Sequence, residues 1–306
     1  AFVIFLAIYA VVRITGMERD RIDAVRGKEI GTLLTPAETN TEDSKINSII
    51  VPSSQETRLL GECVLPTGEN PFGTQKISAS VRSGIGKEWR DEPGVSSSFH
   101  NKYLFMSGVS EAEKEFFVLS KPLVFPFKVA DIVIIWPDKK EYCFVDSFPD
   151  LEDELLGLQI EERNVEIAEK IEDCSEESVK SCFATMYGEC KIVVSNSQNK
   201  VTYSDGKSVL YVEMSDSSNK YPLLLAAIFS NFEEYNCQLA RIMSRAQILA
   251  QTYSLKSSYL TSLGCNSAPL LPNALEIYSD AADVVKKNYN PSDMKNAAEE
   301  LKFKNN

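Results

Sequence analysis

The stretch from Tyr221 to Leu263 constrains the fold of this chain more than any other. Apolar residues fall at Leu225, Ile228, Phe232, Tyr235, Leu239, Ile242, Ala246, Leu249, Tyr253, Leu260 and Leu263. The intervals alternate three and four, and Lys256 alone breaks the stripe. That is the period of a helix burying one continuous face. At 1.5 Å per residue, a single helix over this stretch reaches roughly 60 Å. Pro222 stands near the first turn, where a missing N–H costs nothing, and Gly264 stands where a C′ glycine belongs. The expectation is one long amphipathic helix near the C-terminus. It can serve as a bundle helix inside a domain, or as a docking rod or coiled-coil strand.

A chain of 306 residues suffices for one large domain or two ordinary ones, and its 43% apolar and 25% charged residues are those of a folded protein. The net charge of −12, with no basic patch, argues against a nucleic-acid partner, since phosphate binding needs concentrated Lys and Arg. Seven cysteines, Cys63, Cys143, Cys174, Cys182, Cys190, Cys237 and Cys265, are scattered without a CxxC pair. Zinc knuckles and iron–sulfur clusters need such close pairs. Two readings remain: buried thiols in a reduced cell, or up to three disulfides with one cysteine left over. The second fits an exported protein. Cys174, Cys182 and Cys190 are spaced by eight, so a local bridge is plausible there while its connectivity stays open.

Residues Ala1 to Val12 are twelve consecutive apolar positions, followed by Arg13 and a charged run. Twelve helical residues cover about 18 Å, short of the roughly 20 residues that cross a bilayer. The chain lacks an initiator methionine and so reads as processed or truncated. Either it begins partway through a longer span, or its apolar end packs among copies of itself. A helical pattern continues through Ile14, Met17, Ile22, Val25 and Ile30 before fading at Gly31.

Residues 35–101 read as loops and short strands, with apolar runs at Ile46–Val51, Leu59–Leu65 and Ile77–Val81. GIGKEW, Gly84 to Trp89, lacks P-loop spacing and reads as turn chemistry. From Tyr103 strands dominate. FPFKVADIVIIW, Phe125 to Trp136, and Glu141–Asp146 suggest a hairpin across the Pro137–Lys140 turn. A short helix follows, with Asp150 as its expected N-cap. A further helix is expected over Glu176–Tyr187. Lys191–Asn196, Lys200–Ser204 and Ser208–Glu213 read as an antiparallel meander. Beyond Cys265, a helix is expected from Ala274 to Lys287. These signals predict an α+β fold: a long N-terminal hydrophobic helix, an antiparallel β-containing head, and the long amphipathic helix. The corresponding segments are 1–34, 35–101, 102–220 and 221–306.

Catalytic constellations are hard to assemble. The sole histidine, His100, reads as a satisfied surface residue, and no GxSxG elbow occurs. Acidic clusters at Asp150, Glu152, Asp153 and Glu154, and at Glu161, Glu162 and Glu166, read as solvated faces. Neither a cofactor nor a metal is expected, and an enzyme of unknown class is a minority alternative.

The N-terminus, Ala1 to Val12 with its polar continuation to Ile30, resembles archaeal type IV pilin-like or N-terminally anchored surface proteins. The resemblance covers about a tenth of the chain. It implies a helix that first anchors the precursor in the lipid bilayer and then polymerises. Phe2, Ile4, Phe5, Leu6, Ile8, Tyr9 and Val12 would carry anchoring and self-association. The implied function is a structural or adhesive subunit of a cell-surface filament. A single-pass extracellular binding or scaffold protein is the alternative, and a phage structural protein or a solute-binding ectodomain are others.

Overall fold

The computed structural model describes residues 45–50, 56–82, 89, 96–125, 127–183, 188–214, 219–265, 271–286, 295–297 and 299–300. A central sheet orders β1 (Lys45–Ile50), β7 (Glu115–Val124), β8 (Lys128–Pro137) and β5 (Tyr103–Phe105). β7 and β8 pair antiparallel, and β5 joins β8 in parallel. Period-2 alternation explains why these strands read as unbroken apolar runs, because both faces are covered. Phe117, Leu119, Ile132, Ile134 and Trp136 point into the main core. Their neighbours Phe116, Val118, Val133 and Ile135 point the other way, into a second core with Leu59, Ile77 and Ala79.

That second core is closed by a sheet ordered β4 (Ser96–Phe99), β3 (Thr74–Arg82), β2 (Glu56–Val64) and β6 (Val109–Ala112). A third sheet orders β10 (Val165–Ala168), β9 (Tyr142–Val145), β11 (Val179–Cys182), β12 (Ile192–Ser195), β13 (Lys200–Tyr203) and β14 (Ser208–Leu210). β10, β9, β11 and β12 run parallel; β12, β13 and β14 form the antiparallel meander expected from sequence. α1 (Pro149–Gly157) lies in the β9–β10 crossover, burying Leu151 and Leu155.

The expected single helix over 221–263 is two helices. α2 (Pro222–Phe229) is buried at every position, and α3 (Phe232–Ser262) follows after Ser230 and Asn231. The Asn231 side chain accepts from the Glu234 N–H at 2.8 Å and so caps α3, while the Ser230 hydroxyl donates back to the Ala226 carbonyl at 2.6 Å. α4 (Leu271–Lys286) packs on α3 through Ala274, Leu275, Tyr278 and Ala282. The Tyr278 ring lies 5.1 Å from Phe127, which in turn meets Tyr253 edge-on at 5.0 Å.

Several expectations are corrected. The Phe125–Asp146 hairpin does not form, because β8 pairs with β7 and β5 while β9 enters the third sheet. The turn between them is held elsewhere: Asp138 accepts the backbone N–H groups of Glu113 and Lys114 at 2.9 and 2.7 Å. Over its described part, 176–183, the expected Glu176–Tyr187 helix gives way to β11, which takes its pairing from β9, and its last four positions lie outside the described residues. Phe148, not Asp150, is the residue before α1, and Pro149 occupies the first turn.

The architecture of a long hydrophobic helix carrying an antiparallel head is corrected as well. The fold is a mixed α+β arrangement of several sheets and helices. Among the described residues no helix is long and apolar enough to cross a membrane. α3 is long enough, but it carries Glu233, Glu234, Arg241, Arg245 and Lys256. α2 is apolar throughout, yet its eight residues span only about 12 Å.

Candidate functional site

The most constrained surface feature is the β2–β3 connection, Leu65 to Gly73, which lies against α3. Its entry is fixed covalently: Cys63 at the end of β2 is bridged to Cys237 on α3, with Cα atoms 6.0 Å apart. Within the connection, the Thr67 N–H donates to the Asn70 carbonyl at 2.9 Å, and the Asn70 N–H returns to the Thr67 hydroxyl at 3.1 Å. Its exit is fixed by Gly73, whose φ of +60° lies in the left-handed region. A Cβ there would sit 2.3 Å from the Val64 carbonyl oxygen, so only glycine fits.

Arg241 of α3 anchors the same connection from beneath. Its fully enclosed guanidinium donates to the Phe72 carbonyl at 3.0 Å, to Lys102 at 2.8 Å, to His100 at 3.1 Å and to Phe99 at 3.3 Å. It lies 5.0 Å over the Tyr103 ring. One cation thus satisfies four carbonyls from two chain segments that would otherwise be orphaned inside the protein. Arg241 also donates to the Gln238 side-chain oxygen at 2.7 Å, and the Gln238 amide donates to Glu234 at 2.9 Å and to Gln75 of β3. Burial pushes the Glu234 carboxyl above its usual range, with Gln238 and Arg241 pulling the other way. His100 ends the network at the surface, its Nδ1 3.0 Å from the Gly73 carbonyl.

Above this network lies a hollow of about 510 Å³ between the connection and the two helices. Leu65, Pro66 and Pro71 form one wall, Ser244, Gln247 and Ile248 of α3 another, and Lys286 of α4 stands at the edge. Leu65 is 55% exposed although it lines an otherwise apolar wall. Two other hollows carry less. One, of about 340 Å³, has its charges occupied: Lys128 pairs with Asp131 at 2.8 Å, and Arg245 donates to the Val129 carbonyl at 2.7 Å. The other, of about 360 Å³, is lined by Glu161, Glu166, Glu169 and Asp173 beside edge strand β10. Among the described residues, no group of three or more His, Cys, Asp or Glu side chains could hold a metal ion.

Six of the seven cysteines are paired. Beside Cys63–Cys237, Cys143 is bridged to Cys174 and Cys182 to Cys190, both on the outer face of the third sheet around Val145 and Ile171. Cys265 is free and exposed. Glu154 leaves the acidic face where the sequence placed it and turns inward to Lys121. Glu234, Gln238 and Arg241 escaped the sequence reading, although their i, i+4, i+7 spacing marks a polar stripe alongside Cys237.

Phe2, Ile4, Phe5, Leu6, Ile8, Tyr9 and Val12 lie outside the described residues. No family model, no curated protein and no solved structure matches this chain. The pilin-like resemblance is therefore corrected, and with it the filament subunit, the single-pass scaffold and their adhesive role. No match supports them, or the lipid-anchored placement at a cell surface, and among the described residues no helix is long and apolar enough to cross a membrane.

Proposed function

We propose that the domain is a binding module rather than an enzyme, and that it receives an apolar side chain of a partner in the hollow between the Leu65–Gly73 connection and α3. The observation that carries this reading is the bracing of one wall. A disulfide just before its entry, a glycine-only turn at its exit and an arginine that holds the Phe72 carbonyl while gripping residues 99–102 beside it act on nine residues of chain. Fixing a surface connection in advance lowers the ordering cost of association, which is how rigid scaffolds present binding loops. The volume lies in the range of small-ligand pockets, and Leu65, Pro66, Pro71 and Ile248 supply apolar lining beside the polar Ser244 and Gln247. The buried ionisable groups nearby support binding over catalysis, since Arg241 and Glu234 serve as braces beneath the hollow.

The test is a titration of isotope-labelled protein with small aliphatic and aromatic probes, followed by amide chemical shifts. Saturable shifts confined to residues 65–71 and 244–248, abolished in Ile248→Asp while the unfolding midpoint holds, are expected. Shifts that never saturate, or that scatter over the surface, would remove this hollow as the binding site.

A further inference from the structure

The main core contains a lysine, a carboxylate and a carboxamide brought together from three elements. Lys121 in β7 is fully enclosed, Glu154 of α1 has 7% of its side chain exposed, and Asn219, just before α2, is 8% exposed. The Lys121 ammonium donates to a Glu154 carboxylate oxygen and, at 3.0 Å, to Asn219 Oδ1. Asn219 Nδ2 donates to the Pro122 carbonyl, which fixes the amide so that its carbonyl end faces the lysine. The second Glu154 oxygen, Oε2, is buried and has no hydrogen-bond partner among the described residues. An ion pair held only for stability has every lone pair satisfied, because an orphan carboxylate oxygen in the interior is costly. This one keeps an acceptor position open beside an amine and an amide.

We infer that Lys121 and Asn219 join in an intramolecular isopeptide bond, with Glu154 carrying the proton.

The reactants are already in place. Asn219 Cγ lies one carbonyl bond, about 1.2 Å, beyond the oxygen that Nζ contacts, so a small side-chain rotation brings Nζ onto the carbon. Glu154 takes one proton from the Lys121 ammonium and frees the nitrogen lone pair. The Nζ–Cγ bond forms as the carbonyl π electrons move to Oδ1. Return of those electrons breaks the Cγ–Nδ2 bond. A proton from Nζ, relayed by Glu154, completes the departing nitrogen as ammonia. One amine and one primary amide become one secondary amide and ammonia, with no change of oxidation state and no co-reactant. Burial favours the neutral lysine over the ammonium, in keeping with a nucleophilic amine. Exclusion of water keeps hydrolysis from competing. The bond would tie the central sheet to the segment that leads into the helical layer, across 98 residues of sequence.

The experiment is intact mass of the full chain after disulfide reduction, with peptide mapping. A mass about 17 Da below that of the sequence is expected, one ammonia, together with a branched peptide joining the segments around Lys121 and Asn219. The full sequence mass in folded protein, with the two peptides recovered separately, would overturn the inference. Glu154→Gln should leave the bond unformed and restore the missing mass. Complete bond formation in that variant would overturn the role given to Glu154. The wild-type peptide map decides the bond itself even where a variant does not fold.

Discussion

Glu234 sits between two opposing demands. Its side chain is nearly enclosed, which favours the neutral acid, yet it accepts from Gln238 and lies near Arg241. Burial is the larger influence, so the folded carboxyl binds its proton more tightly than the unfolded one. Stability linked to this group is therefore complete below the ordinary glutamate value of 4.5 and is lost as pH rises through the elevated folded value. Glu234→Gln keeps an oxygen for Gln238 and removes the titration. The variant is expected to be more stable than the parent near neutral pH and equal to it near pH 4. Urea midpoints across that range check this, and a variant weaker than the parent at pH 7 would mean that its charge, paired with Arg241, outweighs burial.

At the scale of elements, the division between α2 and α3 rests largely on one side chain. Asn231 caps α3 by accepting the Glu234 N–H, and Asn231→Ala is expected to cost about 1 kcal/mol in denaturant unfolding. A loss within a few tenths of a kcal/mol would show that packing alone sets the break. This boundary was legible: Asn231 followed three residues later by Glu234 is a helix-start signature, overlooked because the apolar stripe runs straight across it. The central strands were legible too, since strands buried on both faces read as continuous apolar runs. The partners of β9 were not. A four-residue strand paired in parallel with β10 and β11 carries no local mark of its neighbours, whereas the β12–β14 meander is set by its own turns. The same limit hid the candidate site. The fully buried Arg241 looks like a surface residue until the carbonyls of Phe72, Phe99, His100 and Lys102 are brought around it from far along the chain.

Across the whole molecule, the three disulfides divide the work unequally. Cys63–Cys237 joins residues 174 apart and fastens a sheet to the helical layer, while Cys182–Cys190 spans eight residues within one corner. In the chain-entropy account, the first closure restricts the unfolded chain by about 5 kcal/mol and the second by about 2.5 kcal/mol. Cys63→Ser with Cys237→Ser is thus expected to lower unfolding free energy roughly twice as much as Cys182→Ser with Cys190→Ser. Equal losses in urea titrations would show that local strain or residual structure, not loop length, governs both.

The reach of the Cys63–Cys237 bridge also decides how this protein comes apart when cut. A single nick by a protease anywhere between those two cysteines severs the backbone but leaves both pieces on one covalent molecule. On a gel without thiol the nicked chain runs as one band. Reductant separates the fragments of a chain cut outside residues 121–219, whereas the inferred Lys121–Asn219 bond keeps a chain cut between those residues together. One cut in the surface connections between the sheets therefore stays hidden until thiol is added, whereas a second frees the stretch between the two unless another cross-link holds it.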